Sequence, residues 1–285
     1  MIFWATESLS EGKVEPLVQP AAETLFWIGF LPVTSSMIQT WIVMGVIFLL
    51  IRLGTLRLSL IPSGLQNAIE AAVEGLEKLT RGLLEPKVAD WAFPLVATYF
   101  IFIVFSNITD LIPGVGSIGF GEKDPSRQLP FAIKHTSVPI FRPPTSDANM
   151  TTAMALIFFV MSTYWAFRYH HGIKGVLHHI FGVKGGFKGW IVIPLAVLFT
   201  AVGFMEIISI LIRPVALAMR LYGNIYGGET VLHMMTGILW GLPAVPFYFF
   251  EFMVAIIQAL IFTLLSIVFT GTLCSHFGEV ESKEG

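Results

Sequence analysis

Long apolar stretches separated by short polar segments dominate this chain. Five of them are long enough to cross the hydrocarbon core of a bilayer, about 30 Å thick, as helices. They cover residues 37–53, 91–112, 147–167, 190–237 and 247–269. The pattern predicts an all-α polytopic membrane protein with about five transmembrane helices.

The fourth stretch is too long for one upright span. A helix over 190–237 would measure about 72 Å, more than twice the hydrocarbon thickness. It is therefore either broken into two hairpinned helices or steeply tilted, with curvature at Pro194, Gly203 and Pro214. Together with residues 247–272 it predicts a long helical hairpin.

The remaining segments are more polar. Residues 65–84 carry apolar side chains at helical spacing with charged residues between them, which is typical of an amphipathic helix on the membrane surface. We expect an extramembrane N-terminal tail over 1–36, with an apolar patch too short to span, and a single integral-membrane domain over 37–285. The loop 113–146 contains a formal GxGxxG, which we interpret as plain loop because it follows a membrane helix and not a strand.

Composition supports this class of protein and excludes others. Of the 285 residues, 55% are hydrophobic and 13% are charged, and the mean hydropathy is +0.76, which is too apolar for an ordinary soluble domain. A net charge of −2 without a basic run argues against nucleic-acid binding. The one cysteine, Cys274, excludes an intrachain disulfide and is expected to pack in the core. We expect no metal or cofactor, because no acidic or cysteine ligand accompanies the paired histidines His170, His171, His178 and His179.

The distribution of basic residues predicts the orientation. If the N-terminus is outside and the spans alternate, most lysines and arginines fall inside, among them Arg52, Arg57, Arg168 and Lys174. Cytoplasmic loops carry such an excess. We therefore expect the N-terminus outside and the C-terminus in the cytoplasm.

Four ionisable residues lie in the apolar fourth stretch, where a charge at the bilayer centre costs about 2.5–3.5 kcal/mol. Seven helical residues turn through about 700°, close to two full turns, so Glu206, Arg213 and Arg220 share one face. Asn224 extends this face. Glu229, nine positions past Arg220, faces the opposite way. Such residues are usually paired, face a cavity or carry ions.

The last apolar stretch repeats the seven-residue spacing, with Glu251 and Gln258 on one face. Suppose that Arg220 and Gln258 lie at one depth on antiparallel helices. Glu229 and Glu251 then lie about 13 Å and 10 Å towards the outer side, and Glu206 lies about 21 Å towards the inner side. Four polar residues at the ends of spans fall on the outer side too: Asn107, Asp110, Asp147 and Asn149.

This arrangement suits ion passage through two offset half-channels. Carboxylates and amides hold water and relay protons. Arg220 keeps its charge, so it would block a direct leak and attract a carboxylate on a moving partner. The alternatives are that Arg213 only pairs with Glu206 or snorkels to the membrane interface as a structural or supporting residue, and that Glu229 and Glu251 form an outer-interface pair without a transport role.

Several motifs carry a family resemblance. The segment 220–229, RLYGNIYGGE, closely resembles the R-L-F-G-N-M-x-A-G-E signature of subunit a, the stator channel subunit of F-type ATP synthase. Three further segments are similar to that family in the same order: FSNITDLIP at 105–113, PTSDAN at 144–149 and IQALIF at 257–262. The resemblance covers most of the chain.

The resemblance implies a non-catalytic subunit that conducts H⁺ or Na⁺ and so couples the ion gradient to ATP synthesis. Arg220 would face the carboxylate of the rotating c-ring, supported by Asn224 and Gln258. Glu206 would line the inner half-channel, and the outer one would be lined by Glu229, Glu251, Asn107 and Asp110. Some members of the family carry a histidine where Glu251 stands, so the outer relay differs from theirs in that position.

The resemblance also implies partners and a location. The partners would be the c-ring, the b subunits of the stator stalk, the rest of the ATP synthase complex and membrane lipid. The chain would be integral to the bacterial inner membrane, with 190–237 as one long helix lying nearly flat against the ring. A secondary ion-coupled transporter is the alternative function, but it predicts internal repeats with broken helices, and we find none. An intramembrane enzyme is disfavoured because neither HExxH nor GxSxG occurs.

Overall fold

The computed structural model describes residues 22, 24–56, 58–112, 119–123, 133–176, 192–236 and 244–274. Within these ranges five helices are long and apolar enough to cross a membrane. They are α1 (Ser35–Thr55), α3 (Pro86–Asp110), α4 (Ala148–Tyr169), α5 (Val192–Thr236) and α6 (Ala244–Cys274). The amphipathic helix α2 covers Leu65–Leu83. The predicted all-α membrane fold with five spans is confirmed, and residues 65–83 form the amphipathic helix expected there.

Two helices begin earlier than the apolar pattern indicated. Pro86 is the first residue of α3, and α6 begins at Ala244 with Pro246 in its first turn. Proline suits the start of a helix because its fixed φ matches the helix and its missing N–H has no partner there anyway. Hydrophobicity marks the part of a helix that meets apolar surroundings, so it misses these polar or proline-containing first turns.

The fourth stretch is one continuous helix. α5 runs through Pro214 without a break over 45 residues, or about 68 Å. Of the two forms that its length allowed, the structure has the unbroken one.

Two antiparallel hairpins were not predicted. β1 (Thr24–Ile28) pairs with β2 (Leu31–Thr34) directly before α1, and the turn between them uses Gly29 at φ 65°. β3 (Gly119–Lys123) pairs with β4 (Ile133–Pro139) inside the segment expected to be plain loop. A short 3₁₀ turn, Pro144–Ser146, leads from there into α4. Short apolar runs do not distinguish a strand from an interfacial segment, which is why the first hairpin was missed.

Several predictions fall outside the described residues. These are the first part of the N-terminal tail, most of the GxGxxG segment, the pair His178 and His179, and the polar C-terminal segment 275–285.

One apolar core among the described residues lies where the end of α2 meets α3, α4 and α6. Leu84, Val88, Trp165 and Ile267 are buried there. Cys274 is free and buried in the same cluster, as its sequence context predicted.

The second core attaches α5 to the bundle. Leu217 and Leu221 of α5 are buried against Tyr99 of α3, Phe158 of α4 and Phe262 of α6. The rings of Tyr99 and Phe262 meet edge to face with centroids 5.8 Å apart. α5 is therefore held by one face, and its opposite face carries exposed apolar side chains: Leu211, Ile212, Val215 and Met219.

Candidate functional site

Arg220 and Asn224 lie on the exposed face of α5. Leu217, Leu221 and Ile225 are buried on the neighbouring face. Arg213 and Asn224 of the predicted stripe both contact α6, so the stripe lies along the edge where α5 meets α6, and Arg220 is exposed there. Glu206, further towards the start of α5, is partly buried.

The amides of Asn224 and Gln258 join α5 to α6. Asn224 Nδ2 donates to Gln258 Oε1 at 2.6 Å. Gln258 is buried, and its Nε2 has no hydrogen-bond partner among the described residues. Arg220 is one helical turn from Asn224, so the assumption that Arg220 and Gln258 lie at nearly the same depth agrees with this contact.

The side chain of Arg213, two helical turns before Arg220 on α5, contacts α6. Its Nη1 donates to Thr272 Oγ1 at 2.6 Å, and its guanidinium carbon lies 5.1 Å from the centroid of the Phe269 ring. It also interacts electrostatically with Glu206, the partner that the sequence suggested. These contacts fit the supporting position expected for Arg213.

Three carboxylates lie close together at the C-terminal end of α3. The carboxylate of Asp110 interacts electrostatically with those of Glu229 and Glu251. Glu251 is only 8% exposed, and its carboxylate lies directly against Gly228 of α5. The helices α3, α5 and α6 thus bring together three acids that are far apart in sequence; we call them the outer carboxylate cluster.

A cavity of about 460 Å³ lies between α5 and α6 beside this cluster. Glu251 and Asn224 line it, together with small and aromatic residues that include Gly223, Gly227 and Phe250. A cavity of this volume holds several water molecules, each of which occupies about 30 Å³ in the liquid. The glycines leave the backbone of α5 open to this space.

Asn107 is buried behind the carboxylates. Its Oδ1 accepts from Thr145 Oγ1 at 2.8 Å, and its Nδ2 donates to the carbonyl of Ala255 at 3.3 Å. Asn107 therefore joins α3 to α6 and to the 3₁₀ turn.

Asp147 caps α4. Its Oδ1 accepts from the backbone N–H of Asn149 at 3.0 Å, and its Oδ2 accepts from Ser36 Oγ of α1 at 2.7 Å. The side chain of Asn149 is exposed. Of these two residues, only Asp147 is buried within the bundle.

Two residues near the cluster were not singled out from the sequence. Arg142 is buried and interacts electrostatically with Asp110. Tyr222 interacts with Arg142, Asp147 and Glu229. Tyr222 lies inside the motif at 220–229, so the motif could have identified it as a site residue. Arg142 falls in a loop, and nothing in the local sequence indicates that the loop is buried.

Among the residues that the structure describes, no group of three or more His, Cys, Asp or Glu side chains is arranged to hold a metal ion. His170 Nε2 lies 3.0 Å from the carbonyl oxygen of Leu273, so it contributes to packing between α4 and α6.

Comparison with known proteins agrees with the motifs. The family described as ATP synthase A chain matches residues 37–271. The chain is similar to ATP synthase subunit a 1 of Syntrophotalea carbinolica, with 33% identity over 93% of this chain and 92% of the relative. It is also similar to ATP synthase subunit a of Citrifermentans bemidjiense, with 31% identity over 89% and 94% of the two chains.

The match extends from α1 through most of α6 and includes every residue of the stripe and of the outer carboxylate cluster. The similarity therefore covers the membrane bundle as a whole and is not limited to one motif. The chain belongs to the ATP synthase A chain family, the non-catalytic, ion-conducting stator subunits of the multi-pass membrane sector of ATP synthase.

Proposed function

We propose that this chain conducts H⁺ or Na⁺ through two half-channels that end on opposite sides of Arg220. The outer carboxylate cluster, with Asn107, forms the outer path, and Glu206 belongs to the inner path. Arg220 separates the two, and Asn224 with Gln258 holds the surface beside it. An ion can then pass only by way of a carboxylate on the moving c-ring.

One observation carries this proposal. Three interacting carboxylates and a cavity lie on one side of Arg220 along α5, whereas Glu206 lies on the other side and Arg220 itself is exposed between them. A permanent cation on an exposed face blocks direct passage and attracts a carboxylate from outside the bundle. A purely structural arginine would instead be expected to face a partner within the bundle.

The exposed face of α5 supports the c-ring as the partner there. This face is apolar around Arg220, as a surface that slides against another helix ring requires. The b subunits and lipid would cover other faces of the bundle. The distribution of basic residues supports an N-terminus outside and a C-terminus in the cytoplasm of a bacterial inner membrane, with 1–36 as tail and 37–285 as one channel domain.

A secondary transporter has less support. Such proteins bind their substrate where membrane helices are broken near the midplane. α5 carries the charged residues and is continuous over Val192–Thr236.

The test replaces Arg220 by Ala in the assembled complex, in membrane vesicles. We expect Arg220→Ala to abolish ATP-driven ion pumping and to increase passive ion leak through the membrane sector. The matched control is Arg52→Ala, which removes an exposed arginine at the end of α1. Coupled pumping retained by Arg220→Ala at the level of the control would refute the proposal.

A further inference from the structure

The hairpin β1–β2 carries aromatic side chains that the rest of the described structure leaves exposed. Phe26, Trp27 and Phe30 are exposed by 46%, 66% and 91%. Gly29 and Phe30 form the two-residue turn between the strands, so Phe30 lies at the tip. Phe26 and Trp27 are neighbours in β1 and therefore extend from opposite faces of the ribbon. Both faces and the tip of the hairpin thus present apolar rings.

The hairpin contains no charged side chain. From Thr24 to Thr34 all residues are apolar, glycine or proline, apart from the threonines at the two ends. Contiguous exposed apolar surface usually marks a contact with protein or with membrane. A two-stranded hairpin is also at most marginally stable in water by itself. The exposed rings therefore indicate that something outside this chain covers them.

The position of the hairpin indicates what covers it. β2 ends at Thr34 and α1 begins at Ser35, so no linker separates the hairpin from a candidate membrane span. α1 has 21 residues and a length of about 32 Å, which matches a hydrocarbon core about 30 Å thick. The start of α1, and the hairpin with it, therefore lies where the hydrocarbon meets the lipid headgroups. Aromatic rings are enriched at this level of membrane proteins.

Contacts at its base hold the hairpin at this level. Val33 of β2 is fully buried, and β2 packs on α1. Thr34 Oγ1 and Ser36 Oγ are hydrogen-bonded at 3.0 Å, and Ser36 Oγ donates to Asp147 Oδ2 at 2.7 Å. The base is therefore fixed to the starts of α1 and α4, and the exposed rings lie beyond it.

We propose that the hairpin β1–β2 is an interfacial anchor whose partner is the lipid surface at the start of α1. Trp27 and Phe30 lie at headgroup level, where their rings leave water without needing charged partners. A protein partner would be expected to cover one face of the ribbon, whereas this ribbon is apolar on both faces and at its tip. The anchor fixes the depth of α1, the least buried of the five candidate spans.

The test attaches a nitroxide label to the hairpin in the whole complex, reconstituted in lipid vesicles. Phe30→Cys and Trp27→Cys provide the attachment sites. Asn67→Cys, on the exposed polar face of α2, is the matched control. The unsubstituted complex, treated with the same label, gives the background, and Cys274 of this chain is buried. Collision of each label with oxygen, which partitions into lipid, is compared with collision with a water-soluble nickel chelate.

We expect the ratio of oxygen to nickel-chelate accessibility to be several-fold higher at positions 27 and 30 than at position 67. A ratio equal to that of the control at either position would place the hairpin in water and overturn the inference. Protection from both reagents would show that a protein covers the hairpin, which overturns it as well. If one variant fails to assemble, the other decides. Failure of both would mean that the rings pack within the complex, and the lipid assignment would be wrong.

Discussion

Gly228 lies against the carboxylate of Glu251, across the gap between α5 and α6. A Cβ atom added at this glycine would occupy the space of the carboxylate itself. Glycine inside a helix is about 0.5–1 kcal/mol less favourable than alanine, so its presence here has a reason other than helix stability. The space it leaves allows Glu251 to stay in the outer carboxylate cluster.

We expect Gly228→Ala to slow ion flux several-fold, because Glu251 must leave its place, while the complex still assembles. Flux through vesicles and co-purification of the subunit with the c-ring measure the two effects. Gly45→Ala in α1 is the control, since a Cβ there meets nothing within 4 Å. Equal flux in both variants would show that the contact with Gly228 does not position Glu251.

The candidate residues along α5 could be predicted from the sequence, whereas the buried loop residue Arg142 could not. The seven-residue spacing predicted the shared face of α5, and the assumed depth of Gln258 agrees with its hydrogen bond to Asn224. Arg142 could not be predicted, because its burial depends on how α1, α3, α4 and α5 pack around residues 142–147. Helical periodicity describes one element at a time and contains no information on such packing.

At the scale of elements, the start of α4 holds three parts of the bundle together. Asp147 accepts from the first turn of α4 and from Ser36 of α1, and the 3₁₀ turn beside it meets Asn107 of α3. A helix cap contributes about 1 kcal/mol, and a buried hydrogen bond to a charged group about 1.5–3 kcal/mol. These values assign Asp147 a stabilising role.

We expect Asp147→Ala to lower the stability of the subunit by about 2.5–4 kcal/mol, the sum of both lost contacts, measured by denaturant titration of the purified protein. Asn149→Ala is the matched control, because Asn149 uses its backbone N–H for the cap. Asp147→Asn keeps a capping oxygen and should retain most of the flux. Complete loss of flux in Asp147→Asn without loss of stability would instead place Asp147 in the ion path.

The sequence predicted which elements are helices better than it predicted where they begin. Apolar stretches located all five spans, but α3 and α6 begin with turns that hydrophobicity does not mark. The hairpin β1–β2 is a run of apolar residues without alternation, so no period identified it as strand.

At the scale of the whole molecule, α5 places its charged residues at separate positions along its axis. Glu206 and Glu229 are 23 positions apart on one continuous helix, which corresponds to about 34 Å along its axis. Groups so far apart cannot exchange an ion directly. Each should therefore respond to the solution on its own side.

We expect Glu206→Gln and Glu229→Gln each to slow flux several-fold. The two variants should respond differently to the ion concentrations on the two sides of the membrane. Glu206→Gln should change the dependence of flux on the inner H⁺ or Na⁺ concentration, and Glu229→Gln the dependence on the outer concentration. Vesicles of both orientations, with the ion varied on one side at a time, provide the measurement. If both variants changed the response to the same side, the two groups would belong to one path.

The exposed position of Arg220 also bears on how the complex is assembled. Outside the complex, the face of α5 that carries Arg220 would meet lipid, where a charge is unfavourable by about 2.5–3.5 kcal/mol. Any partner that covers this face with a carboxylate removes that penalty and stabilises the folded subunit by mass action. The residue proposed to control ion passage is therefore also expected to make the lone subunit less stable than a subunit whose α5 face is covered by a partner.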